Sequence, residues 1–145
     1  MDLSATYVFN APASKVWELL MDINAVSGCL PGSRGLHEIG LDRYEVELGF
    51  AVAAIAGQFK GTVAIEDKQP PERYTLVVDA SGRPGFVKGR AQIRLEAQDD
   101  LTNVHVIAHA DAGGMIARVG QRLLEGVARS TMDNFYACLA KRVSW

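Results

Sequence analysis

Residues 115–143 read MIARVGQRLLEGVARSTMDNFYACLAKRV, and the way that stretch folds decides the architecture. Ile116, Val119, Leu123 and Val127 recur at spacings of three and four, the signature of one helix face. Arg118, Arg122, Glu125, Arg129 and Asp133 fall on the opposite face. The spacing predicts a long carboxy-terminal helix from about Met115 to Val143. Such a helix must lay its apolar stripe against another apolar surface.

The preceding segments supply that surface. Phe59, Gly61, Val63 and Ile65 alternate with Lys60, Thr62, Ala64 and Glu66. Tyr74, Leu76, Val78 and Ala80 follow the turn Pro70-Pro71-Glu72. Val87, Gly89, Ala91, Ile93 and Leu95 alternate with Lys88, Arg90, Gln92, Arg94 and Glu96. Asp99-Asp100 turns into Val104, Val106, Ala108 and Ala110. Period-two alternation between turn signals predicts hairpins in an antiparallel sheet with one apolar face. Upstream, Gly35 to Ile39 and Arg43 to Phe50 flank Gly40-Leu41-Asp42, and Leu3, Ala5, Tyr7 and Phe9 open the chain as a strand. Between them Asn10-Ala11-Pro12 opens a helix, with Asn10 as a plausible cap and Val16, Leu19, Leu20 and Ile23 as its stripe, ended by Leu30-Pro31-Gly32. The predicted fold is α+β: a curved antiparallel sheet of six or seven strands, two short amino-terminal helices and one long carboxy-terminal helix in the grip of the sheet.

A small sheet around one helix leaves room for a cavity. The candidate lining residues are Phe59, Val63, Leu76, Val78, Ala91, Ile93, Val106, Val119, Gly120 and Leu123. Gly120 is a poor helix residue, costing about 1 kcal/mol relative to Ala, and on this reading it leaves space. Gly61, Gly89, Ala91 and Ala108 likewise add little bulk. The competing reading is a fully packed core, which periodicity alone does not distinguish. Ser130, Thr131 and Asn134 lie near the inner edge of the helix, where they would bond a ligand head group or their own backbone. Leu48 to Ala56 is apolar on both strand faces. It reads as a lid, a dimer seam or a membrane-docking surface, or as a segment covered by the amino-terminal helices.

At 145 residues the chain fits one domain, residues 1–145, with a sizeable core. A formal net charge of -2 gives no reason to expect nucleic acid. Cys29 and Cys138 stand far apart without a CxxC, which predicts two free thiols in a reducing cytoplasm. No basic stretch leads into an apolar run at the amino terminus, so no signal peptide is expected. His105 and His109 are four apart on a strand, roughly 13 Å, too far to share one metal. No metal site, cofactor motif or GxSxG is evident, and neither cysteine has a base near it in sequence. Lys60, Lys88, Arg90 and Arg94 form an outer row, solvated or turned toward an acidic partner or anionic lipid.

Several segments carry a resemblance. Phe9-Asn10-Ala11-Pro12 with Val16-Trp17-Glu18-Leu19-Leu20, Cys29-Leu30-Pro31-Gly32, Phe59-Lys60-Gly61 and Gly113 through Leu124, continued by Met132 and Phe135, are similar to the G subunit family of carbon monoxide dehydrogenase. That family sits within the superfamily of START, polyketide cyclase and birch-pollen-allergen folds. The resemblance implies a helix-grip fold and a non-catalytic accessory protein that binds an apolar small molecule, a quinone or other lipid, in service of a molybdenum-containing redox enzyme. The expected location is the cytoplasm, with peripheral contact at the inner face of the membrane. Many members carry a linker and hydrophobic tail after the last helix, and the sequence in hand stops at Trp145. Two alternatives stay open: an enzyme resembling polyketide cyclases or dehydratases, and an assembly factor whose cavity is filled by its own side chains.

Overall fold

A computed structural model of the chain describes residues 1–50 and 56–143. The elements run β1 (Asp2–Phe9), α1 (Ala13–Leu20), α2 (Ile23–Cys29), β2 (Leu36–Gly40), β3 (Arg43–Phe50), β4 (Gly57–Gln69), β5 (Arg73–Gly82), β6 (Gly85–Gln98) and β7 (Leu101–Gly113). A 3-10 turn at Gly114–Val119 then leads into α3 (Gln121–Val143). The seven strands form one open sheet in the order β1-β7-β6-β5-β4-β3-β2, with every neighbouring pair antiparallel.

The alternation read in the sequence sets the two faces. Along β6, Val87, Gly89, Ala91, Ile93 and Leu95 turn inward, while Lys88, Arg90, Gln92, Arg94 and Glu96 are exposed. The register stacks the inward positions into rows across the sheet: Tyr74 beside Ile93 beside Val106, then Ile65 beside Leu76, Ala91 and Ala108. The next row runs Tyr44, Val63, Val78, Gly89, Ala110. Bulk is heaviest in the first row and thins toward Gly89 and Ala110. On the outer face Arg90 pairs with Glu66 at 3.3 Å.

The helices close the inner face from one end. Asp22 caps α2 by accepting from the backbone N–H groups of Asn24 and Ala25. Asn10, the cap expected for α1, does not cap it; Pro12 holds that position with no side-chain bond. Thr102 is fully buried and donates to the Ala11 carbonyl at 2.8 Å, tying the β1–α1 connection to β7. Phe9, Val16, Leu20, Ile93, Val104, Tyr136 and Leu139 form the main core, where α1 and α3 meet the sheet.

Two further sequence expectations fail here for physical reasons. The long helix does not run unbroken from Met115. Gly120 has φ +97°, a left-handed backbone that resets the helical phase between the 3-10 turn and α3. Ile116 and Val119 therefore belong to a different turn from Leu123. Ile116 is buried with Phe59 and Ala80, whereas Leu123 rotates outward and is 40% exposed. The buried stripe of α3 is Tyr136, Leu139 and Val143, with Leu124, Val127, Met132 and Phe135 partly buried. The second failure is Cys29 and Cys138. They are not free thiols but form a disulfide between α2 and α3 across a sequence separation of 109. Distance along the chain gave no warning, because α2 and α3 become neighbours only through the tertiary fold.

Candidate functional site

Among the described elements, the backbone of α3 lies nearest to α1, α2, β1 and the 3-10 turn. The middle of the sheet thus stands off from the helix, and a cavity of about 420 Å³ lies between. Its floor is the inner sheet face, with Val63, Leu76, Val78, Ala91, Val106 and Ala108 among the lining residues. Its roof is α3, through Leu124, Val127, Ala128, Thr131, Met132, Phe135 and Tyr136. Leu20, Met21, Ile23, Val26 and Leu30 from the amino-terminal helices close one side. Leu48, Phe50 and Phe59 stand at the β3–β4 end, where Phe50 and Phe59 meet edge to face at 5.8 Å.

Among the described lining residues there is no Asp, Glu, Lys, Arg, His or Cys side chain. The polar side chains are Thr131 and the tyrosines Tyr44, Tyr74 and Tyr136. Burial pushes the Tyr74 hydroxyl well above the ordinary tyrosine range, with nearby Tyr136 adding to it. Burial likewise raises Tyr136, with Tyr7 a smaller cause. Tyr44 is raised by burial and then by the nearby carboxylates of Glu38 and Asp42. Phenols raised in this way stay protonated and act as O–H donors across the physiological range.

Six of the ten sequence candidates line this cavity: Phe59, Val63, Leu76, Val78, Ala91 and Val106. Ile93 is inward but sealed in the core, at 1% exposed. Val119 packs on the Phe59–Ile116 cluster instead of the cavity. Gly120 is no space-leaving helix residue; it is the break before α3, and a Cβ there would meet nothing within 4 Å. Leu123 faces outward. Of the three polar candidates on α3, Thr131 lines the cavity and Ser130 and Asn134 are exposed. In the Leu48 to Ala56 segment, Leu48 and Phe50 line the cavity, while Val52, Ala54 and Ile55 lie outside the described residues.

Missed altogether were the α2 wall and the tyrosines. Ile23, Val26 and Leu30 recur at three and four, a signal that was available. Tyr74 alternates in phase with Leu76 and Val78, and Tyr136 falls four residues after Met132. The histidines belong to the outer face: His105 lies 2.9 Å from the Thr6 hydroxyl and 3.1 Å from Glu96, and His109 lies 2.7 Å from Asp2. Among the described residues no group of three or more His, Cys, Asp or Glu is placed to hold a metal, and no helix is long and apolar enough to cross a membrane.

The model of the family described as the G subunit of carbon monoxide dehydrogenase (CoxG) matches residues 7–144. The chain belongs to the CoxG family. No curated protein matches this CoxG-family chain. Among solved structures, a conserved protein from Geobacillus kaustophilus is 31% identical with a TM-score of 0.95, over 99% of this chain and 95% of that one. A START superfamily protein from Mycobacterium smegmatis superposes with a TM-score of 0.72 at 15% identity, covering 98% and 96% of the two chains. Ara h 8.0201 gives a TM-score of 0.73 at 10% identity, over 99% and 97%. These last two likenesses are of fold: the helix-grip architecture of START and birch-pollen-allergen proteins. Family and fold together point to a ligand-binding accessory protein.

Proposed function

We propose that this CoxG-family chain is a non-catalytic accessory protein. It holds a lipophilic small molecule, a quinone or other lipid, between its sheet and last helix, and serves a molybdenum-containing redox enzyme of the carbon monoxide dehydrogenase type. The observation that carries the reading is the cavity of about 420 Å³ with aliphatic and aromatic walls. Each CH₂ taken out of water into such a site is worth about 0.8 kcal/mol. An unpaired charge taken into it costs several kcal/mol, so the wall selects neutral, apolar molecules. Support for the partner enzyme comes from the family's description. A lipid would be taken up at a membrane, which fits a protein in peripheral contact with a membrane face. The apolar composition of the sequence from Leu48 to Ala56 supports such contact.

Tyr74 and Tyr136 favour a second reading, an enzyme of the polyketide cyclase kind, since both have displaced acidities inside the cavity. The displacement runs upward, which weakens them as acids, and no carboxylate or imidazole lines the described wall to serve as base. The binding reading is therefore preferred.

Native mass spectrometry of freshly purified protein, with solvent extraction of whatever accompanies it, tests the proposal. So does titration with a water-soluble quinone followed by the emission of Trp17, whose ring lies 5.4 Å from that of Tyr74. A co-purified lipophilic adduct and saturable quenching are expected. Bare protein mass together with no saturable binding would overturn it.

A further inference from the structure

We infer that Tyr74 and Tyr136 form the polar end of the cavity and select ligands that carry a neutral hydrogen-bond acceptor, such as a carbonyl oxygen, on an apolar body. This rests on the ligand-binding reading above and adds the ligand's head group to it.

Both tyrosines are held rigidly. Tyr74 is an inward residue of β5, paired across the ladder with Ile93, and its ring stands edge-on to Trp17 of α1. Tyr136 sits on α3 with its ring stacked on Tyr7 at a centroid distance of 4.5 Å, and Phe9 and Phe135 meet it edge-on. Each is only 4% exposed, and each lines the cavity. The neighbouring Tyr7 shows what a satisfied phenol looks like here: its hydroxyl donates to Asp133 at 2.6 Å. The hydroxyls of Tyr74 and Tyr136 bond to no other described residue. Yet among the described residues no fully buried side-chain polar atom lacks a partner, so neither hydroxyl is sealed in protein. Both residues line the cavity, and Tyr74 also borders a groove with Arg73, Thr75 and Gln92.

Packing does not account for the two oxygens, because phenylalanine would present the same rings. A buried donor without an acceptor is costly, whereas a bound acceptor oxygen satisfies it. Both phenols remain protonated donors, and the one cation among the described lining residues, the Met1 α-ammonium, already donates to the Ala110 carbonyl at 3.0 Å. Two neutral donors at one end of an apolar chamber match a neutral acceptor.

The test uses two probes of nearly the same shape: acetylnaphthalene, with a C=O, and isopropenylnaphthalene, with a C=CH₂ in its place. Each is titrated into the parent, Tyr74→Phe, Tyr136→Phe and the double variant. Each tyrosine that bonds the ketone should cost roughly five- to tenfold in ketone affinity when replaced, with alkene affinity unchanged. The infrared carbonyl band of the ketone should shift down on binding to the parent and move back in the double variant. Equal changes for both probes, or a bound carbonyl band at its hydrocarbon-solvent position, would overturn the inference. Naphthoate binding at neutral pH as tightly as the ketone would also overturn it. Failure of both probes to bind the parent would instead remove the ligand-binding reading on which it stands.

Discussion

Replacing both Cys29 and Cys138 by alanine isolates the staple between α2 and α3. The bond closes a loop spanning a sequence separation of 109. In the chain-entropy description, opening a loop of that length returns about 16 cal/mol/K to the unfolded chain, or about 4.8 kcal/mol at room temperature. Measured losses run about 2–5 kcal/mol, so a loss of about 4 kcal/mol is the working expectation. For a domain of this size each kcal/mol moves the melting midpoint by about 3 °C, which gives a fall of about 12 °C. Alanine adds no new polar group between the helices, so nothing else in the change opposes folding. The assay is thermal melting of parent and double variant, each with and without reductant, beside a thiol titration of the unfolded parent. The parent should show no thiol until reduced, and reductant should lower its midpoint but leave the variant's unmoved. Two thiols in the unreduced parent, or equal midpoints for parent and variant, would refute the reasoning.

Leu139 is fully buried, so Leu139→Ala should cost about 2–5 kcal/mol, whereas Leu123→Asp, at a position 40% exposed, should cost under about 1 kcal/mol; urea unfolding ranks them, and the reverse order would mean α3 is rotated. Gly89→Val should keep or raise the melting point, since a Cβ there meets Ala110 at an ordinary 3.6 Å and β-branching suits a strand, while weakening apolar-probe binding severalfold by filling space beside Val78. Burial raises Tyr7, Tyr74 and Tyr136 in the folded state, so their neutral forms stabilise the fold fully below the unfolded tyrosine value of about 10, and that stability is lost as pH rises above it. Ultraviolet titration should therefore show phenolate appearing late and together with alkaline unfolding; normal titration of all four tyrosines in folded protein would contradict the burial.

The sheet was readable because strand alternation depends only on neighbouring residues. Val87 through Leu95 fixed which face of β6 points inward, and the paired strands followed. The helix face was misread because helical phase is cumulative, and one left-handed residue, Gly120, is enough to shift everything after it. The true stripe, Met132, Phe135, Tyr136, Leu139 and Val143, stood in the same stretch at the same spacings. It was masked by the assumption that Ile116 and Val119 belonged to one helix with it. The candidate site divides along the same line. Its sheet floor was legible from Phe59 to Val106. The α2 wall and the Cys29–Cys138 bond depend on how separate elements dock, which no local pattern records.

The break at Gly120 and the bond at Cys138 give α3 unequal ends. From Cys138 back to Gln121 the helix runs about 26 Å. One end is clamped covalently to α2; the other begins at Gly120, where a side chain would meet open space, and is held only by noncovalent packing of Leu124 and Val127 on the Phe59–Ile116 cluster. Mechanically this is a lever with its fulcrum beside the disulfide. A tilt of about 10° about that fulcrum would carry the Gln121 end some 4–5 Å from the sheet, by the geometry of an arm of that length. Tyr136, two residues from the fulcrum, would scarcely move. Such a tilt would widen the chamber at Leu124 and Val127 and leave its tyrosine end in place.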